Sequence, residues 1–207
     1  MKPAGSSTPA GEKLHRRDVV AALLADRGEL LVVAGLGAPA WDCAAAGDDP
    51  LTFPLWGGMG LAAMTALGLA CARPERRVLA VTGDGEMLMG LGALATVAVQ
   101  APTNLSIVVI DNERYGETGM QLTHTAYGVD LAAVARACGF AEAFTVTHPQ
   151  ELTPLRYLIH GGDGPLFAAV KVEAETPPRV LPPRDGPHLK DRFRRALLEA
   201  GAEPRAY

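Results

Sequence analysis

The chain has 207 residues, 48% of them hydrophobic and 20% charged, with a net charge of −4 and a pI near 5.7. That length suits one domain, or one domain plus an appendage, and the acidic balance argues against nucleic acid held on a basic surface. Cys43, Cys71 and Cys138 are odd in number, far apart and without a CxxC pair, so neither a zinc ribbon nor a cysteine-ligated iron–sulfur cluster is supported. A reduced, cytoplasmic protein is the expectation, and the first residues, MKPAGSSTPAGEK, show no apolar signal segment.

Residues 1–11 are small, polar and proline-containing and read as disordered. Over 16–26, Val19, Val20, Leu23 and Leu24 recur on one helical face. Residues 29–34 are a short apolar run ending at glycines, a strand, and 39–46 read as a helix with Pro39 in its first turn. Residues 58–72, rich in Ala, Leu and Met, predict a buried helix. A strand over 77–82 stops at Gly83-Asp84-Gly85, a helix covers 86–100, and a second buried strand covers 105–110. A helix over 130–138 ends at Gly139; 144–146 is a short strand, 149–160 a helix and 165–172 a last strand.

The runs 51–72 and 87–110 carry no charge and are long enough to cross a bilayer, which takes about 20 residues. Pro54 and three glycines interrupt the first near its start, and Gln100, Pro102, Thr103 and Asn104 interrupt the second. Each therefore reads as two shorter elements joined by a turn, not as a span. Strands that are apolar throughout and alternate with helices imply a three-layer α/β fold, a mostly parallel sheet with helices on both faces. Residues 12–175 would form this domain. Residues 176–207 are a proline-rich connector and a charged amphipathic helix.

In such sheets ligands bind beyond the carboxyl ends of strands. Gly35-Leu36-Gly37-Ala38-Pro39 resembles a dinucleotide fingerprint only weakly, because a helix precedes the strand and Pro39 lacks an amide donor. It reads equally well as a glycine-rich turn. Two other strand ends carry Gly83-Asp84-Gly85-Glu86 and Asp111-Asn112-Glu113, with 25 residues between Gly85 and Asp111. Taken singly, each piece is an ordinary turn or helix cap. At this spacing, adjacent parallel strands bring Asp84 and Asn112 to one edge. A carboxylate, an amide oxygen and a nearby backbone carbonyl make an oxygen-only site suited to Mg²⁺, and the amides opening the next helix suit a phosphate. The pair describes a site for a metal-bridged diphosphate.

The stretch 83–125, GDGEMLMGLGALATVAVQAPTNLSIVVIDNERYGETGMQLTHT, resembles the thiamine-diphosphate motif, a GDG followed about 25 residues later by an (N/D)N pair. The chain from about residue 14 to PPRDGPHLKDRFRRAL resembles sulfopyruvate decarboxylase β subunits and the C-terminal portion of phosphonopyruvate decarboxylases. The resemblance implies the diphosphate-binding domain of the thiamine-diphosphate fold. Asp84, Asn112 and the carbonyl of Arg114 would ligate Mg²⁺. The amides of Gly85 and Glu86 would meet the diphosphate, and the turn from Tyr115 and Gly116 to Gly119 would close over it. Met59 would support the cofactor from beneath, and the Gly57 carbonyl would accept from its aminopyrimidine. For Met59 simple core packing is the alternative reading.

The activity implied is decarboxylation of a small polar 2-oxo acid to an aldehyde, with the cofactor as electron sink. The family takes its activating Glu from a pyrimidine-binding domain that 207 residues cannot also hold. The expected partner is therefore a separate α subunit in a hetero-oligomer, α2β2 or larger, with no nucleic acid and no membrane involved. His124 is a candidate acid or base, and Gln121 and Thr123 are candidate pocket residues. Departures from the pattern are Glu86 in place of Ser or Ala, Leu61 in place of His, Glu117 in place of Ser, and a Gly35 loop without hydroxyl side chains. Glu86 must point away from a diphosphate or meet a cation. Rival readings are a carboligase resembling acetolactate synthase, the β subunit of a 2-oxo-acid:ferredoxin oxidoreductase, and a non-catalytic assembly subunit.

Overall fold

The computed structural model describes residues 14–199; the segment 1–11, read as disordered, lies outside them. Six parallel strands form one sheet in the order β2-β1-β3-β4-β8-β7, with β1 at Leu31–Ala34, β2 at Thr52–Pro54, β3 at Val78–Gly83, β4 at Leu105–Asp111, β7 at Glu142–Val146 and β8 at Leu166–Lys171. A separate antiparallel hairpin pairs β5, Arg114–Tyr115, with β6, Gln121–Leu122. The parallel sheet with both faces covered is the architecture the apolar strands imply, and all seven residues of β4 are buried.

Strand alternation sorts the core into two halves. Leu31, Val33, Val78, Ala80, Ile107 and Phe167 face one side, under α3 (Ala62–Ala72), α5 (Ala93–Gln100) and α6 (Leu131–Cys138). Val32, Ala34, Leu79, Val81, Val108 and Ala168 face the other, under α1 (Arg16–Leu24), α2 (Ala38–Ala45) and α7 (Leu152–Gly161). The C-terminal helix α8, Gly186–Glu199, lies on the first face, where Phe193 stacks at 5.4 Å on Phe53 of β2. Arg192 holds both oxygens of Asp48 at 2.8 Å.

The helix expected over 86–100 is two. α4, Asp84–Met89, stops at Gly90, and α5 restarts at Ala93. Gly90 lies so close to the carbonyl of Gly60 that a Cβ there would collide with it, so a tertiary contact sets the break. The helix expected from 58 starts at Ala62, because Gly58 (φ 72°) and Gly60 (φ 87°) take left-handed conformations that no helix contains. A 3₁₀ turn precedes α7 over Pro149–Glu151. Strand β2 and the β5–β6 hairpin were not foreseen. The first is a three-residue edge strand ending in proline, which edges tolerate, and the second is polar and two residues long on each side.

Candidate functional site

The connection from β1 runs through α2 to β2 on one face, whereas β3 leads through α4 and α5 to β4 on the other. Chain ends diverging in this way leave a crevice beyond the carboxyl ends of β1 and β3, the usual ligand position in open α/β sheets. A cleft occupies it. Its walls are Leu36, Ala38 and Pro39 after β1, Gly83 to Glu86 after β3, and Asn112 with Arg114 to Thr118 after β4. Met59 and Arg16 complete the lining.

Eight of the residues named from sequence thus converge: Met59, Asp84, Gly85, Glu86, Asn112, Arg114, Tyr115 and Gly116. Register explains the meeting of Asp84 and Asn112, since Gly83 pairs with Ile110 across β3 and β4. Asn112 Oδ1 accepts from the Arg114 amide at 3.0 Å, and Glu113 takes φ 61°. This tight reversal sends Arg114 and Tyr115 back along the cleft. The Tyr115 ring lies over Gly85, where a Cβ would stand 2.6 Å from ring carbon Cε1. Gly57 is exposed, two residues before Met59, and stands outside the cleft wall.

Asp84 is buried at the start of α4. Thr123 Oγ1 donates to its Oδ2 at 2.5 Å. Thr125 Oγ1 lies 2.8 Å from Asp111 Oδ1 and 3.4 Å from Asp84 Oδ2, so its single proton serves one of two buried carboxylates. Lys171 neutralises Asp111 at 2.8 Å and also meets Glu113 at 2.7 Å. Among the described residues no cation pairs with Asp84. Burial pushes its carboxyl up to about 6; the Thr123 hydroxyl opposes the shift and the Asp111 charge adds to it. A buried carboxylate without counter-charge, beside the amide oxygen of Asn112, is a donor set that calls for a cation, and all-oxygen ligation suits Mg²⁺. The residues present fit that ion.

Glu86 answers the question its charge posed. It turns away from the opening and is buried, with Thr82 Oγ1 donating to Oε2 at 2.8 Å. Burial raises its pKa, opposed by Thr82 and by the nearby amides of Ala62, Leu36 and Gly60. Oε1 has no hydrogen bond of good geometry. Gly35 passes so close to Oε2 that no side chain fits there, so the glycine-rich turn after β1 is shaped to Glu86.

Three candidate residues stand outside the cleft wall. His124 is exposed and outside the cleft lining: Thr123 and Thr125 turn inward to the carboxylates, which leaves the residue between them facing solvent. Thr123 is fully buried beneath Asp84 instead of lining the pocket. Gln121 is exposed, its side chain bonded to Thr118. Residues the sequence reading passed over are Thr125, Lys171 and Arg16. The first two carry no local motif. An arginine opening a helix reads as a solvated end, although this one is only 3% exposed.

The enclosed space is about 100 Å³, below the roughly 300–1,000 Å³ of pockets that bury a drug-sized ligand. The cleft encloses part of such a ligand and leaves the rest at the surface. Trp56, Met59, Leu61, Met64 and Met89 are exposed apolar side chains; Met59 lines the cleft, and the contact of Gly60 with Gly90 brings the segments of Met59 and Met89 together.

Residues 42–170 match the thiamine pyrophosphate enzyme, C-terminal TPP binding domain. The sulfopyruvate decarboxylase subunit beta of Methanothermobacter thermautotrophicus is 39% identical over 162 residues, covering 78% of this chain and 82% of that one. The phosphonopyruvate decarboxylase of Streptomyces hygroscopicus is 38% identical over 148 residues, 71% of this chain and 36% of that protein. Among solved structures, benzoylformate decarboxylase from Polynucleobacter necessarius superposes with a TM-score of 0.63 at 20% identity, over 86% of this chain and 36% of the other, a likeness of fold. With its parallel sheet, its cleft at the β1–β3 crevice and the match over 42–170, the chain belongs to the thiamine pyrophosphate enzymes, as a C-terminal TPP binding domain.

Proposed function

We propose that the chain is the diphosphate-binding β subunit of a two-chain decarboxylase dependent on thiamine diphosphate and Mg²⁺, converting a small polar 2-oxo acid to an aldehyde. The observation that carries this reading is Asp84, a buried carboxylate without counter-charge in the cleft beside Asn112 and Arg114. The names of the relatives support the reaction class. Residues 12–175 form the cofactor-binding unit in this reading. Asp84, Asn112 and the Arg114 carbonyl would hold the metal. The Gly85 and Glu86 amides, Tyr115 and Gly116 would surround the diphosphate, with Met59 and the Gly57 carbonyl toward the rings. The bound cofactor supplies the electron sink that decarboxylation of a 2-oxo acid requires.

The chain's own residues bind, orient and exclude water. Thr123 fixes the Asp84 carboxylate through Oδ2, and the carboxylate so held would be a ligand for the metal. Lys171 takes up the charge of Asp111, so that one of the two neighbouring carboxylates, not both, seeks a cation. Tyr115 over Gly85 covers the start of α4. A shallow cleft, on a chain that also exposes Trp56, Leu61, Met64 and Met89, suits a partner that closes the site and supplies the activating Glu, in an α2β2 or larger complex. Cys43, Cys71 and Cys138 are free thiols, which fits a reducing cytoplasm.

The test is product analysis of the complex purified through a tag on the full-length chain, given thiamine diphosphate, Mg²⁺ and a set of 2-oxo acids including sulfopyruvate and phosphonopyruvate. Equimolar CO₂ and aldehyde are expected. A carbon–carbon ligation product, or electrons passed to a one-electron acceptor, would contradict the decarboxylase reading.

A further inference from the structure

Arg16 opens α1, and both it and Met59 line the cleft. Its side chain is 4% exposed. Nη1 donates to Asp42 Oδ2 at 2.9 Å, while Nε is buried without a hydrogen bond. Arg17 shares the same carboxylate through Oδ1 at 3.3 Å. Two guanidiniums meet on this one carboxylate, and the charge of Glu175 also acts on it. Elsewhere the acidic side chains of the cleft wall are Asp84 and Glu117, Glu86 being turned away, and its other cation, Arg114, is bonded to the Glu113 carbonyl. The adjoining turn, Gly35 to Pro39, offers no hydroxyl, and Pro39 offers no N–H.

We propose that Arg16 is the contact for the terminal phosphate of the bound diphosphate, taking the place of the hydroxyl donors that the turn after β1 lacks. This rests on the thiamine-diphosphate reading above. Arg16 shares the cleft lining with Met59, Asp84 and Gly85, so a diphosphate held at Asp84 and Gly85 would have this guanidinium in the wall of its own cleft. A guanidinium suits a terminal phosphate because it presents several donors in a planar fork and stays charged. Asp42 holds the fork in place and occupies one of its corners.

The experiment is calorimetric titration of thiamine diphosphate, with Mg²⁺ present, into the complex purified through the full-length chain. Wild type, Arg16→Met, Asp42→Asn and the double variant are compared, each with its thermal midpoint. Loss of one charge-assisted contact weakens binding by about 10- to 100-fold, so Arg16→Met and the double variant should bind that much more weakly. Asp42→Asn keeps the guanidinium and should bind as well as wild type or better. The double variant also removes the buried carboxylate that Arg16→Met leaves with Arg17 alone, so its midpoint should recover toward wild type while its affinity does not. Equal affinity in wild type and Arg16→Met would overturn the proposal and leave the cofactor reading intact. So would an affinity restored in the double variant, or an unchanged Kd with a raised KM for the 2-oxo acid, which would assign Arg16 to the substrate. No binding by wild type would defeat both readings.

Discussion

The two edges of the sheet both bury polar side chains but use them differently. At the amino edge, Asn104 precedes β4 and its Nδ2 faces three carbonyls, Ala70, Arg73 and Arg76, at 2.8–3.1 Å. Two of these belong to the last turn of α3 and its cap, groups that a helix leaves unpaired. At the carboxyl edge, Asp84 is also buried and hydrogen-bonded by Thr123, but no cation among the described residues pairs with it, and Arg16 keeps a buried Nε without a partner. The first arrangement is closed within the chain and serves stability. The second is complete only when something else arrives.

That contrast predicts separable effects. Asn104→Ala would remove a donor from three carbonyls and cost about 1–3 kcal/mol of stability, measured by denaturant unfolding, with thiamine-diphosphate affinity unchanged in the folded protein. An equal loss of affinity would erase the distinction between the edges. Gly85→Ala should do the reverse. Its methyl would push the Tyr115 ring aside at a cost of roughly 1–3 kcal/mol, most of it visible as weaker cofactor binding by titration.

A smaller effect concerns pH. Burial pushes the Asp42 carboxyl up to about 6 from an ordinary 3.8, with Arg16 and Arg17 opposing and Glu175 adding. Between those values the folded chain binds more protons than the unfolded one. This contribution to stability therefore rises as pH falls from 7 toward 5 and is lost as pH climbs through 6. Thermal midpoints of the cofactor-free protein should show that rise, and Asp42→Asn should make it smaller, the remainder coming from Asp84 and Glu86, which burial also raises. Identical profiles would show that the pair is already ionised throughout. The smallest effect is at His124, exposed and outside the cleft. His124→Ala should leave kcat within about twofold, the scale of an ordinary surface substitution, and a larger fall in the rate assay would return it to the site.

The carboxyl edge was readable in the sequence because its chemistry is local. Asp84 sits between two glycines, Asn112 follows an apolar strand, and the number of residues between them is what one helix and one strand require. The helices and long strands were readable for the same reason, since period and apolar runs are local. What escaped depends on contacts between distant residues. The break between α4 and α5 comes from Gly60 pressing on Gly90. The inward turn of Thr123 and Thr125, which turns His124 out, depends on where Asp84 and Asp111 lie. The burial of Arg16 depends on Asp42, 26 residues later. The hairpin of Arg114–Tyr115 and Gln121–Leu122 has too few residues for any alternation to show.

The most direct test of the account is the Mg²⁺ dependence of thiamine-diphosphate binding by the complex, for wild type and Asp84→Asn, which keeps the shape and the Thr123 contact but removes the charge. Wild type should bind with Mg²⁺ and lose at least about tenfold in affinity without it, while Asp84→Asn should bind weakly under both conditions, as expected when a hydrogen-bonded charge is removed from its partner. Binding by Asp84→Asn that matches wild type and still responds to Mg²⁺ would show that the metal is held elsewhere and would contradict the reading of this cleft.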